Sequence, residues 1–126
     1  MKIGIIGTRK RDMEKDFNLV YKVFNKIYKE GDIIISGGCP KGGDNFAYTI
    51  AKDNGMPILI YFPNWKKYRK AAGFVRNTMI ANDSNVIIAC VADNRKGGTE
   101  DTIKKFLKKY NYLESYAIKE KLLYII

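Results

Sequence analysis

Apolar positions recur along the chain in two alternating rhythms. Short continuous runs fall at residues 2–7 (Lys-Ile-Gly-Ile-Ile-Gly), 32–36, 57–62 and 86–91. Each is too short for a helix and is closed by glycine, proline or charge, which reads as a strand buried on both faces. Between them the spacing changes to that of a helix. Met13, Phe17, Val20, Tyr21, Phe24, Ile27 and Tyr28 form one stripe ending at Gly31. Phe46, Ala47, Ile50 and Ala51 mark a second helix over 44–54, stopped by Gly55. A loop over 63–70 leads to a helix with Ala72, Val75, Met79 and Ile80 inward, and Gly97-Gly98-Thr99 opens another that buries Ile103, Phe106, Leu107 and Tyr110.

Strands alternating with helices at this spacing predict an α/β fold. The architecture expected is a single Rossmann-like three-layer domain over residues 1–126, with a mainly parallel sheet and right-handed crossovers. Its 126 residues suit one compact domain. The tail from Tyr112 to Ile126 is compatible with a fifth strand plus a hairpin, with an extra edge strand, or with a subunit contact. Its apolar content leads us to expect a homodimer or higher homo-oligomer.

Composition narrows the chemistry. Histidine is absent, which excludes imidazole acid–base work. Cys39 and Cys90 follow no metal or redox spacing, so neither a metal nor a resident cofactor is expected. No run is long enough for a membrane span, the first residues read as a strand and not a leader, and a cytoplasmic location follows as an expectation. With 23 basic against 13 acidic residues the net charge is +10, which favours anionic partners.

The distribution of that charge matters more than its sum. In an open parallel sheet, ligands bind beyond the carboxyl ends of the strands. Those ends carry Gly7-Thr8-Arg9-Lys10-Arg11, then Gly37-Gly38-Cys39-Pro40-Lys41-Gly42-Gly43-Asp44, then Trp65 to Lys70 with Arg76-Asn77 beyond, then Arg95-Lys96-Gly97-Gly98-Thr99. Glycine lets backbone N–H groups approach phosphate oxygens, helix N-termini add partial positive charge, and arginine grips phosphate through paired bonds. Single residues stay open to plainer duties. Asp44 suits a helix N-cap as well as a ribose contact, and Trp65 an interface anchor as well as a base-stacking surface. Asn77 suits a loop bond, and Glu100 and Asp101 complement a helix dipole without any catalytic role.

Taken in order, Gly7-Thr8-Arg9, Ser36-Gly37-Gly38 with Lys41-Gly42-Gly43-Asp44, Phe62-Pro63-x-Trp65, Ala72-Gly73-x-x-Arg76-Asn77-x-Met79 and Gly97-Gly98-Thr99 resemble the YspA-type branch of the SLOG superfamily. The resemblance runs over roughly residues 2–107. It implies a Rossmann-like domain holding a nucleotide or nucleotide-derived phosphate of the NAD or ADP-ribose type, as sensor or sequestering protein. Carried across, Gly37, Gly38, Gly97, Gly98 and Thr99 would cradle phosphate and Arg9 and Arg76 would neutralise it. Asp44 and Asn77 would fix the sugar or the loop, and Gly7, Thr8, Lys41, Gly42, Trp65 and Gly73 complete the expected ligand-binding set. Thr8 stands where serine is usual.

Two relatives suggest other readings. Phosphoribohydrolases cleave N-glycosidic bonds with a Pro-Gly-Gly-x-Gly-Thr-x-x-Glu turn. Here Lys96 precedes a shortened turn and Thr102 occupies the glutamate position, which leaves Glu100 and Asp101 as catalytic candidates out of register. The DNA-processing Smf/DprA proteins point to nucleic acid as a partner, which the positive charge and Trp65 would serve.

Overall fold

The computed structural model describes residues 1–126. The strands are β1 (Lys2–Gly7), β2 (Ile33–Ser36), β3 (Ile58–Ile60), β4 (Val86–Cys90) and β5 (Leu123–Ile125). The helices are α1 (Glu14–Ile27), α2 (Gly43–Asp53), α3 (Trp65–Tyr68), α4 (Ala72–Asp83), α5 (Gly98–Tyr110) and α6 (Glu114–Lys119). All five strands pair in parallel in the order β3-β2-β1-β4-β5. The α/β fold anticipated from the rhythm is therefore present.

Of the four apolar runs, β1, β2 and β4 are buried on both faces, whereas β3, at the sheet edge, leaves Leu59 exposed. In β1 and β4 the side chains alternate between two cores. Ile3, Ile5, Ile88 and Cys90 join Val20, Phe24, Phe46 and Ile50 beneath α1 and α2. Ile6, Ile87 and Ala89 join Ile80, Ile103, Phe106 and Ala117 beneath α4, α5 and α6. Pairing runs from Ile3 against Val86 to Gly7 against Cys90, so β1 and β4 end level with one another. Burial raises the Cys90 thiol pKa, in keeping with a core residue.

The tail forms α6 and then β5, which adds in parallel beside β4; no hairpin is made. Its apolar residues divide between core and surface. Ala117 and Leu123 are buried, while Leu113, Tyr116 and Ile118 are exposed. The segment after β3 is not a plain loop, because it holds α3 and a 3-10 turn at Arg69–Ala71. Met79, expected to pack inward, is exposed, and the buried face of α4 carries Ala72, Asn77, Ile80 and Ala81 instead. No helix is long and apolar enough to cross a membrane.

Candidate functional site

The chain leaves β1 toward β2 on one side and later returns to place β4 on the other. Strand order therefore reverses at β1/β4, where a crevice opens at the carboxyl edge. A cavity of about 840 Å³ occupies that edge, within the range of small-molecule sites. Its wall includes Gly7, Thr8 and Arg9 after β1, Gly37 and Gly38 after β2, Trp65 after β3, and Gly97, Gly98 and Thr99 after β4. Asp44, Arg76 and Asn77 also line it. Of the residues expected at the site, Lys41, Gly42 and Gly73 stand outside this wall. Lys41 is exposed, and the buried Gly42 donates its N–H to Asp12 Oδ1 at 2.7 Å, which fixes the loop.

Two helices begin at the cavity. Gly42 precedes α2 and Gly97 precedes α5, both with positive φ, and no side chain caps either helix. At α5 the uncapped first turn, Gly97-Gly98-Thr99, lines the cavity and brings its N–H groups and dipole end to the wall, whereas of α2 only Asp44 does. Asp44 is not the N-cap of α2. It lies within the first turn and its Oδ2 accepts back from the Cys39 N–H at 3.0 Å, closing the glycine loop upon itself.

Arg76 and Asn77 form a strut between the two glycine loops. Arg76 Nη1 donates to Gly37 O at 2.6 Å and its Nε donates to Asn77 Oδ1 at 2.9 Å. Asn77, only 6% exposed, donates in turn from Nδ2 to Asp101 Oδ2 at 3.1 Å and to Gly98 O at 3.3 Å. These bonds set the guanidinium in the cavity wall with hydrogen-bonding capacity to spare.

The basic residues that cluster in sequence separate in space. After β1, Arg9 and Lys10 line the cavity, whereas Arg11 turns away to Asp16 Oδ1 at 3.0 Å and to the carbonyls of Val91 and Ile126. After β4, Lys96 lines the cavity while Arg95 pairs with Glu100 at 2.8 Å and Glu114 at 2.6 Å. Both hydrogen bonds hold the Arg95 pKa above its ordinary value. Of the stretch Trp65 to Lys70 only Trp65 reaches the wall, and the cations beside it project into solvent.

The two candidate catalytic acids are engaged elsewhere. Glu100, 8% exposed, is held by Arg95, and Asp101 is held by Lys105 at 2.8 Å and by Asn77; neither lines the cavity. The wall therefore carries Arg9, Lys10, Arg76 and Lys96 against one carboxylate, Asp44. Further wall residues escaped the sequence reading of the site: Phe62, Pro63 and Thr102, with Ile6, Ile80 and Ala92 behind them. Phe62 was detectable in the Phe-Pro-x-Trp motif. Thr102 had no signal beyond its distance from Thr99.

Burial raises the Asp44 carboxyl pKa, against the opposing pull of the Cys39 N–H, Arg76 and the Gly37 N–H. A carboxyl whose folded-state pKa is raised contributes most below its unfolded value, near 3.8, and that contribution is lost as pH rises through the folded value. Asp44→Asn is therefore expected to be more stable than the parent at pH 7, with the difference fading in acid below the unfolded value. Urea midpoints at the two pH values measure it. A variant less stable at pH 7 would show that the ionised carboxylate is favoured by its surroundings.

No family model matches this chain, and no curated protein matches it. Among solved structures it is similar to the molybdenum cofactor binding protein from the phototrophic bacterium Rippkaea orientalis. The TM-score is 0.68 at 20% identity, covering 98% of this chain and 87% of the other. That likeness extends to the fold.

Proposed function

We propose that this protein binds a nucleotide or nucleotide-derived phosphate, of the NAD or ADP-ribose type, as a sensor or sequestering protein of SLOG kind. The observation that carries the reading is the cavity at the β1/β4 switch point. There the uncapped N-terminus of α5, the Gly37-Gly38 loop, Arg9, Lys10, Arg76 and Lys96 meet on one wall. Preorganised N–H donors and fixed cations suit phosphate oxygens, and the single carboxylate between them suits hydroxyl groups of a sugar. The structural neighbour, which binds the molybdenum cofactor, supports small-molecule binding in this fold. The hydrolase alternative loses support, because Glu100 and Asp101 are tied into ion pairs and neither lines the cavity. The nucleic-acid alternative rests on the exposed cations beside Trp65, which lie outside the cavity.

The test is to denature the purified protein and identify released small molecules by mass spectrometry. Ligand-free protein is then titrated calorimetrically with AMP, ADP, ADP-ribose and NAD. At least one phosphorylated nucleotide is expected to bind and to be recovered intact. Silence across the whole panel would overturn the reading. Release of free base at an ordinary enzymatic rate, on the order of 1 per second, would replace it with the hydrolase.

A further inference from the structure

The cavity wall is polarised along the strand order. On the side of β1 and β4 it carries cations and hydroxyls: Arg9, Lys10, Lys96, Thr99 and Thr102. On the side of β2 and β3 it is built from Gly37, Gly38, Cys39, Pro40, Phe62, Pro63 and Trp65, and the charged groups beside them, Asp44 and Arg76, are bonded to the Cys39 N–H and the Gly37 carbonyl. Phe62 is 66% exposed and Trp65 is 60% exposed, so neither ring is used by the core. Phe62 is nonetheless fixed in place. A Cβ on Gly38 would come within 2.5 Å of its ring, so the ring is seated directly against that backbone. Two large aromatic surfaces, a seated Phe62 and an exposed Trp65, thus line the cavity after β3, while the cations and hydroxyls line it after β1 and β4.

We infer that Phe62 and Trp65 hold the flat heterocycle of the ligand by stacking, without reading its hydrogen-bonding edge, so that the site selects for phosphate and sugar and tolerates different bases. The inference rests on the nucleotide reading above and adds which end takes the ring and how little it discriminates. Every base offers a π-face to an aromatic platform, whereas base identity is read only by donors and acceptors placed at its edge. Beside the rings stand the Cys39 thiol, a weak donor, and the Asp44 carboxyl, which already accepts from the Cys39 N–H. Arg76 is likewise engaged by the Gly37 carbonyl and by Asn77.

Trp65 is the only tryptophan, so its fluorescence reports on this rim alone. The experiment titrates the full chain with inorganic pyrophosphate, ADP, GDP and CDP, following binding by calorimetry and Trp65 emission in parallel. The three nucleotides are expected to quench emission and to bind within roughly tenfold of one another, on the order of ten- to a hundredfold tighter than pyrophosphate. Pyrophosphate is expected to bind with little change in emission. In Trp65→Ala, and separately in Phe62→Ala, nucleotide affinity should fall toward that of pyrophosphate while pyrophosphate affinity is unchanged. If pyrophosphate binds but nucleotides bind no tighter and leave emission unaltered, stacking is wrong and the phosphate site stands. A preference beyond a hundredfold for one base means an edge is read, which overturns the claimed tolerance. Binding of none of the four overturns this inference, and the nucleotide reading falls with it only if ADP-ribose and NAD are silent too. Circular dichroism of the two variants confirms that a loss is not unfolding: both residues are exposed, and a variant that loses affinity for pyrophosphate as well shows the rings to be structural, against the proposal.

Discussion

Gly43→Ala is expected to cost about 3 kcal/mol or more of folding stability, at or beyond the upper end of ordinary overpacking. A methyl group at this position would lie 2.2 Å from both Gly7 N and Ile6 C, which are backbone atoms that no rotamer change can move. The first turn of α2 is therefore pressed onto the end of β1, and a side chain there must push the helix off the sheet. Because Gly42 and Asp44 flank it, the same displacement should disorder the glycine loop and abolish ligand binding. Gly73→Ala is the matched comparison. That position has open space where the methyl would go and sits inside α4, so alanine should be neutral or stabilising by up to about 1 kcal/mol. Urea denaturation of both variants measures the contrast, and a Gly43→Ala protein of parental stability would show that α2 is not seated as described.

Arg76→Ala is expected to weaken a phosphorylated ligand by about 1.5–3 kcal/mol, roughly ten- to a hundredfold, the scale of a hydrogen bond to a charged group. The residue does more than supply charge. Through Gly37 O and Asn77 Oδ1 it holds the first glycine loop in register with the second, since Asn77 also grips Gly98 O. Arg76→Lys, which keeps the charge but cannot make both contacts, should fall between the two. Removing the arginine also strips Asp44 of a favourable neighbouring charge, so the pKa of Asp44 should rise further and the variant should lose stability as pH increases from acid to neutral. Arg76→Ala with Asp44→Asn should recover that stability without recovering affinity, a separation that a double-mutant cycle makes visible. Calorimetric affinities unchanged by Arg76→Ala would take this residue out of the binding machinery.

Rhythm in the sequence gave access to the strands and long helices because burial enforces it. Residues 2–7 and 86–91 are apolar without alternation because both faces of β1 and β4 are covered, by α1 and α2 on one side and by α4, α5 and α6 on the other. The tail resisted the same reading for a physical reason. A helix of six residues and an edge strand of three are too short to display a period, so Tyr112 to Ile126 looked equally like hairpin, edge or interface. Met79 and Asn77 show the limit within a helix. Spacing assigned Met79 inward, whereas α4 buries Asn77, whose amide is satisfied by its neighbour Arg76 and by Gly98 O and Asp101 of α5.

What the sequence determined by itself was the layered α/β plan and the carboxyl edge on which glycine and positive charge gather, since parallel strands place successive loops on one edge. What only the tertiary structure decided was which members of each cluster face the crevice. Arg9 and Arg11 are two residues apart, and so are Arg95 and Gly97, yet within each pair one lines the cavity while the other is spent on an ion pair. Arg11 is held by Asp16 but also by the Val91 and Ile126 carbonyls, and Arg95 by Glu100 but also by Glu114, so folding and not the local turn alone sets where each points. A charge's direction depends on where its nearest counter-charge lands after folding, and composition carries no record of that distance.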